Sequence, residues 1–255
     1  LIDQNTLEQA ERLARSPAVV GPVALMPDAH FGSGAGIGSV FLSREFIIPA
    51  AVGVDIGCGM IAARTTLQAR DITVAGRREI LGGLRRRIPA GVNREHAQPT
   101  ARAAAWLLAN PPPSFDSHTK LWHKAIHQFG TLGSGNHFVE VCVEEGGSQL
   151  NAPVWLMLHS GSRGVGFQLA LTHERAAQTW CAEAGLPLED PALAYLQIAS
   201  PAGQAYLADM CWAQQYAAEN RREMLTQMQF AIEDTGITFD LTEVVQCHHN
   251  FAQRE

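Results

Sequence analysis

Apolar positions along the chain alternate between two periods. In TLEQAERLAR (residues 6–15), Leu7, Ala10, Leu13 and Ala14 recur at helical spacing. Thr6 followed by Gln9 has the form of a capping box, so the segment predicts an amphipathic helix opening at Thr6. Strand-like runs follow at VALM (23–26), GSVFL (38–42) and MIAARTTL (60–67), punctuated by glycine and proline. FVEVCV (138–143), VWLML (154–158) and EVVQC (243–247) add three more. Helical spacing returns at residues 77–87, 166–184 and 202–235. The last of these carries Tyr206, Met210, Ala213, Ala217 and Leu225 at its apolar positions and stops at Gly236. NPPPS at 110–114 breaks the chain after a helical region and reads as a loop rather than a domain boundary. With no internal repeat or low-complexity tract, the pattern predicts an α/β chain, a mixed sheet core with a helical insertion.

Composition narrows the class. A chain of 255 residues, 46% hydrophobic and 17% charged, can bury a sizeable core. The expectation is one domain over residues 1–255, incomplete at both ends, because the sequence opens on Leu1 and closes on CHHNFAQRE just after a histidine pair. The net charge of −6 argues against a generally basic nucleic-acid binder but leaves room for a local basic groove. Five cysteines, odd in number and irregular in spacing, point to a reduced, cytoplasmic chain rather than a disulfide framework. No apolar run is long enough to span a bilayer, and no signal-peptide order of residues opens the chain.

The candidate chemistry lies where glycine crowds the ends of strands. Asp55 and Cys58 sit in VGVDIGCGM, His137 in LGSGNHFVE, His159 in WLMLHSGSRG and His249 in VVQCHHNF. Each borders a predicted strand, where side-chain direction is fixed and adjoining loops leave room for a ligand. The site is expected to take a metal or a phosphate. One thiolate, one carboxylate and three imidazoles suffice for two divalent ions if Cys58 bridges them, and donor softness alone names zinc first. GSGAGIG at 32–38 is no dinucleotide fingerprint, because its glycines fall at every second position and a strand-like run follows. HSGSRG does not fit a nucleophile elbow, which leaves Ser160 and Ser162 as turn or anion-contact residues. Arg85, Arg86 and Arg87 could touch an RNA backbone but read rather as a solvated helix face. His96, His118, His123, His127 and His173 are expected at the surface, with His123 and His127 four apart in a helix.

MPDAHFGSGAGIGSV, IIPAAVGVDIGCGM, LGSGNHFVEV, LHSGSRGVG and CHHNFAQRE occur here in the order seen in the RtcB-type tRNA-splicing RNA ligases, and the chain resembles that family over essentially its whole length. The resemblance implies the family's α/β fold and a GTP-dependent ligase with a dinuclear manganese site. Such an enzyme joins an RNA 2′,3′-cyclic phosphate or 3′-phosphate end to a 5′-hydroxyl end, in tRNA splicing or RNA repair. It also implies manganese in place of zinc, with Asp55, Cys58 and His137 on one ion and Cys58, His159 and His249 on the other. Asn136, His137, Phe138, Val139 and Glu140, together with His249 and Asn250, resemble the family's nucleotide contacts. Asp28 and His30 fall in the family's first motif without an assigned role. In the family's scheme a histidine beyond the HN motif receives GMP before GMP passes to the RNA 3′-phosphate, and no histidine of this sequence matches it. The alternative is a truncated relative acting as a metal- or RNA-end-binding module, or as a metal-dependent phosphoester hydrolase.

Overall fold

The structure is a computed structural model and describes residues 2–145 and 149–254. In chain order the elements are α1 (Gln4–Ala14), β1 (Val20–His30), β2 (Ile37–Leu42), β3 (Phe46–Ile47), α2 (Pro49–Val52), β4 (Gly59–Gln68), α3 (Val74–Arg87), α4 (Ala101–Ala109), α5 (Lys120–Gln128), β5 (Phe138–Val143), β6 (Pro153–Ser160), α6 (Arg163–Glu183), β7 (Leu196–Gln197), α7 (Pro201–Glu233) and β8 (Leu241–His248). This is an α/β chain whose ladders are antiparallel, with an isolated parallel bridge between Ala90 and Gly133. The contacts divide it into two units: Leu1–Val54 with Phe167–Cys211 and Ala252–Glu255, and Asp55–Gly166 with Trp212–Phe251. The long helices α6 and α7 contribute to both.

The second unit is built on a four-stranded sheet in the order β5-β6-β4-β8. Side chains along a strand alternate between faces, and the buried positions of β4 and β6 follow that period of two. Ile61, Ala63 and Leu67 of β4 and Val154, Leu156 and Leu158 of β6 pack on Ile80 of α3 and on Met224, Leu225, Met228 and Ile232 of α7. Full burial of each larger apolar side chain is worth roughly 1.5–3 kcal/mol, so this layer fixes the sheet's register. Gly59 of β4 lies opposite both Ser160 and His248, and His159 lies between Met60 and Phe138. Antiparallel pairing therefore gathers the start of β4, the start of β5 and the ends of β6 and β8 at one end of the sheet. α4 and α5, capped by Thr100 and Thr119, hold the aromatic group of Trp106, Phe129, Trp212 and Tyr216.

The first unit corrects four expectations. Helix α1 opens at Gln4, not Thr6. Asp3 is its cap, accepting from the Thr6 amide at 3.0 Å and the Thr6 hydroxyl at 2.8 Å. Gln9 is no capping-box partner. Its carboxamide donates to the carbonyls of Gly32 and Gly34 and accepts from the Gly32 amide, which ties down the glycine-rich loop between β1 and β2. β1 runs well beyond residues 23–26, and its pairing with β2 is irregular on either side of Ala24 and Leu25, where Pro22 and Pro27 withhold ladder donors. His173 is buried rather than at the surface, with Nε2 2.8 Å from Oδ2 of Asp209. It falls on the buried stripe of α6 with Leu169, Ala170 and Ala177, at helical spacing. No helix among the described residues is long and apolar enough to cross a membrane.

Candidate metal centre

The five donors predicted from sequence meet at that gathered end of the sheet. Cys58 immediately precedes β4, His137 precedes β5, His159 is the second-last residue of β6 and His249 follows β8. Asp55 lies in the same turn as Cys58, whose amide donates to the Asp55 carbonyl at 3.0 Å. The ligand atoms form two groups sharing one sulfur: Asp55, Cys58 and His137, with all atoms within 4.8 Å of one another, and Cys58, His159 and His249, equally close. Sγ of Cys58 is 3.3 Å from Nε2 of His137 and 3.2 Å from Nε2 of His159. Nε2 of His159 lies 3.1 Å from Nε2 of His249, and Nε2 of His137 lies 3.0 Å from Oδ2 of Asp55.

The second ring nitrogens set the chemistry. Nδ1 of His137 is 2.8 Å from the Leu132 carbonyl, and Nδ1 of His159 is 3.2 Å from that of Asn136. A carbonyl only accepts, so each Nδ1 carries a proton, and in the neutral ring Nε2 is left with a lone pair on the side of the shared sulfur. Burial lowers the affinity of His159 and His249 for a second proton, which keeps both imidazoles neutral, the form that ligates. Burial also works against the charged form of Asp55, but the neighbouring His137 outweighs it and holds the carboxyl below its ordinary range. That attraction needs a positive partner at Nε2, and a proton or a metal ion can fill the role. Burial and then the charge of Asp55 push the Cys58 thiol well up, so the thiolate needs a cation beside it. Without a metal the thiol keeps its proton among these nitrogen and oxygen atoms, and a divalent ion would displace that proton and draw the converging lone pairs into bonds. The residues fit divalent metal, with Cys58 common to both candidate groups.

Glycine makes the packing possible at two points. A methyl group on Gly161 would lie 2.3 Å from both carboxylate oxygens of Asp55. On Gly133, at φ +87°, it would lie 2.0 Å from the guanidinium of Arg163. Arg163 itself holds a left-handed backbone, φ +59°, and donates from Nε to the Thr131 hydroxyl at 3.3 Å. Ser160 and Ser162 are fully buried. Ser160 donates to the Leu132 carbonyl and Ser162 Oγ lies 3.4 Å from Asp55, so both are tied into the protein.

Of the residues carried over as nucleotide contacts, Asn136 and Glu140 are exposed and Phe138 is half-buried, its ring 5.8 Å from that of His159. Val139 turns its side chain into the core. Asn250 donates to the Asp55 carbonyl at 3.3 Å and accepts from the Gly57 amide at 2.7 Å, fastening the end of β8 to the Asp55 turn. Asp28 and His30 are exposed on β1, with His30 Nδ1 2.8 Å from the Asp28 carbonyl. His118 and His123 are exposed, as expected, while His96 and His127 are half-buried; the rings of His123 and His127 stack at 4.1 Å. Arg85 and Arg86 are exposed, whereas Arg87 pairs with Asp234 and lies over Phe230.

Two residues behind the site were not anticipated from sequence. Asn220 and Arg221, adjacent on α7, are both fully buried. Arg221 Nη1 donates to the carbonyls of Gly57 at 2.8 Å and Ser160 at 2.9 Å. Nδ1 of His248 stands 3.1 Å from Arg221 Nη2 and 2.9 Å from the Gly57 carbonyl. It can serve only one of them, since it offers either a lone pair or a proton. Burial pushes the Arg221 guanidinium down to about 10, still charged at neutral pH. The signal was present: Asn220 falls three residues after Ala217 and four before Met224, and Arg221 four after Ala217 and four before Leu225, polar residues on an apolar stripe.

A family model described as tRNA-splicing ligase RtcB matches residues 9–255. RNA-splicing ligase RtcB of Escherichia coli (strain K12) is 35% identical over 282 residues, a match covering 100% of this chain and 65% of that protein. RNA-splicing ligase RtcB1 of Escherichia coli (strain ATCC 25922) is 35% identical over 281 residues, with the same coverage of each. The chain spans 65% of the length of these curated relatives.

Proposed function

The chain belongs to the RtcB family of tRNA-splicing ligases, and from that membership we propose that it carries the metal and nucleotide site of an RNA ligase. The reaction joins a 2′,3′-cyclic phosphate or 3′-phosphate end to a 5′-hydroxyl end, in the cytoplasm, with GTP and two manganese ions. The observation that supports this most is the convergence of five donors on one thiol. Asp55, Cys58 and His137 would hold one ion and Cys58, His159 and His249 the other. The donor set accommodates zinc as well; the resemblance to the family favours manganese. Divalent ions there would neutralise a transferring phosphoryl group and polarise the attacking oxygen.

The protein's own groups do the positioning. His137 and His159, fixed through Nδ1 to backbone carbonyls, present Nε2 in one direction only. Arg163 places a cation close enough to be felt by Asp55, where an anionic RNA end or triphosphate would need one. The exposed carboxylate of Glu140 can accept from the N–H edge of guanine and the ring of Phe138 can stack on its face. The exposed amide of Asn136 adds a further contact, while Val139 can offer only its backbone. The nucleotide set is completed by His137, His249 and Asn250.

The test uses the full-length protein purified without chelators. Two divalent ions per chain are expected, none in Cys58→Ala, and joining of cyclic-phosphate to 5′-hydroxyl RNA ends that depends on GTP and manganese. Full metal occupancy in Cys58→Ala would refute the bridge. Opening or release of the terminal phosphate without joining would assign the site to a hydrolase.

A further inference from the structure

We infer that Asn220 and Arg221 are positioning residues that divide the two metal groups between them, an inference resting on the metal reading above. With the Nδ1 lone pair of His248 turned to Nη2, Arg221 has three carbonyl or imidazole partners that each adjoin a donor: Gly57 precedes Cys58, Ser160 follows His159 and His248 precedes His249. A single guanidinium thereby sets the spacing of three strand ends, and those ends carry the complete Cys58, His159 and His249 group.

Asn220 works on the other side. Its Oδ1 accepts from the Gly130 amide at 2.7 Å, and its Nδ2 lies 3.1 Å from the Gly161 carbonyl, 3.3 Å from Ser160 Oγ and 3.4 Å from the Thr131 carbonyl. Ser160 Oγ in turn donates to the Leu132 carbonyl, the oxygen that also receives the His137 Nδ1 proton. Asn220 is thus linked to His137 through Ser160 and Leu132, and it fixes Gly161, on which the Asp55 carboxylate rests. Neither residue reaches a ligand atom. Both sit on the same helix, so the separation of the two groups is set by one rigid element.

Buried polar groups of this kind are costly, and a general packing role would be served better by apolar side chains of similar volume. The guanidinium fork supplies what they cannot: Nη1 aims its two N–H groups at separate backbone oxygens, while Nη2 in the same plane faces the His248 ring. Lysine keeps the charge and loses the fork. Methionine keeps most of the volume and loses both.

The experiment compares Arg221→Lys, Arg221→Met and Asn220→Leu in the full-length protein, by circular dichroism, site-resolved amide exchange without metal, and cobalt titration. Arg221→Lys should weaken the ion at Cys58, His159 and His249 by about 10- to 100-fold, the usual cost of losing an outer partner of a ligand, and leave the other ion near its wild-type affinity. Asn220→Leu should do the reverse. Without metal, Arg221→Lys should speed exchange at the amides of Gly57, Cys58, His249 and Asn250 by about the same factor as it weakens that ion, with residues 75–86 unchanged. If the wild type binds no cobalt the metal reading fails, and the exchange pattern alone decides the positioning role. Wild-type exchange in Arg221→Lys overturns it, as does faster exchange spread evenly over the chain. Loss of the folded spectrum in both Arg221 variants assigns the residue to general core stability and overturns it equally.

Discussion

Replacing Gly161 by alanine should disable one metal group while leaving the fold in place. Gly161 is not among the glycines with left-handed backbone, so alanine can adopt its conformation. The added methyl, however, would stand 2.3 Å from both oxygens of Asp55, where ordinary contact begins near 3.4 Å. The carboxylate must therefore retreat by about 1 Å, breaking its 3.0 Å contact with His137. Metal ligands tolerate errors of about 0.2 Å in distance. A displaced ligand should thus cost at least what loss of an outer partner does, about 10- to 100-fold in affinity, or roughly 1.4–2.8 kcal/mol. The assay is calorimetric titration of manganese into wild type, Gly161→Ala, Asp55→Ala and the double variant. If the methyl acts only through Asp55, it adds nothing once Asp55 is gone, and the cycle shows a coupling equal to the single cost. Wild-type affinity in Gly161→Ala, or an undiminished cost in the Asp55→Ala background, would refute the reasoning.

Three further outcomes are expected. Burial holds His159, His248 and His249 below their ordinary 6.5, so the unfolded chain binds more protons than the folded one as pH falls through that value. Metal-free stability, read as a urea midpoint, should drop progressively below about pH 6.5, and a flat profile would refute this. His159→Ala should remove one ion and cost about 3 kcal/mol or more in ligation, whereas His123→Ala and His127→Ala should change neither. Metal lost only from the latter pair would move the site to α5. Asp209→Ala, which leaves the buried His173 without its hydrogen-bond partner, should destabilise the fold by about 1–3 kcal/mol, measured by chemical denaturation, and an unchanged stability would show the pair to be incidental.

What could be read from sequence followed from how local each cause was. β4, β5, β6 and β8 were legible because their apolar runs are short and bounded by glycine or turn residues, and the five donors because each adjoins such a run. That all five would converge required the strand order, which no local pattern encodes. Thr6 suited a cap as well as Asp3 did, and only the structure shows that Thr6 is fully buried. His173 looked like a surface residue because its neighbours in sequence are polar, while its neighbours at helical spacing are Leu169, Ala170 and Ala177. Arg221 hid among the arginines and glutamates of AENRREM, although its register with Ala217 and Leu225 marked it as inward-facing.

The placement of the last donor beyond β8 bears on the order of assembly. The contact between His248 and Gly57 spans 191 residues of chain, against 101 for Cys58 and His159. Loop-closure entropy grows only with the logarithm of length, by about 0.6 kcal/mol for each doubling, so the longer closure is scarcely dearer than the shorter. It differs in timing instead. A chain emerging from the ribosome can pair β4 with β6 and form the Asp55, Cys58 and His137 group while β8 is still unmade. An ion captured at that stage would be held by three residues with the thiol exposed on its open side, until the arrival of β8 brings His249 in and closes the site.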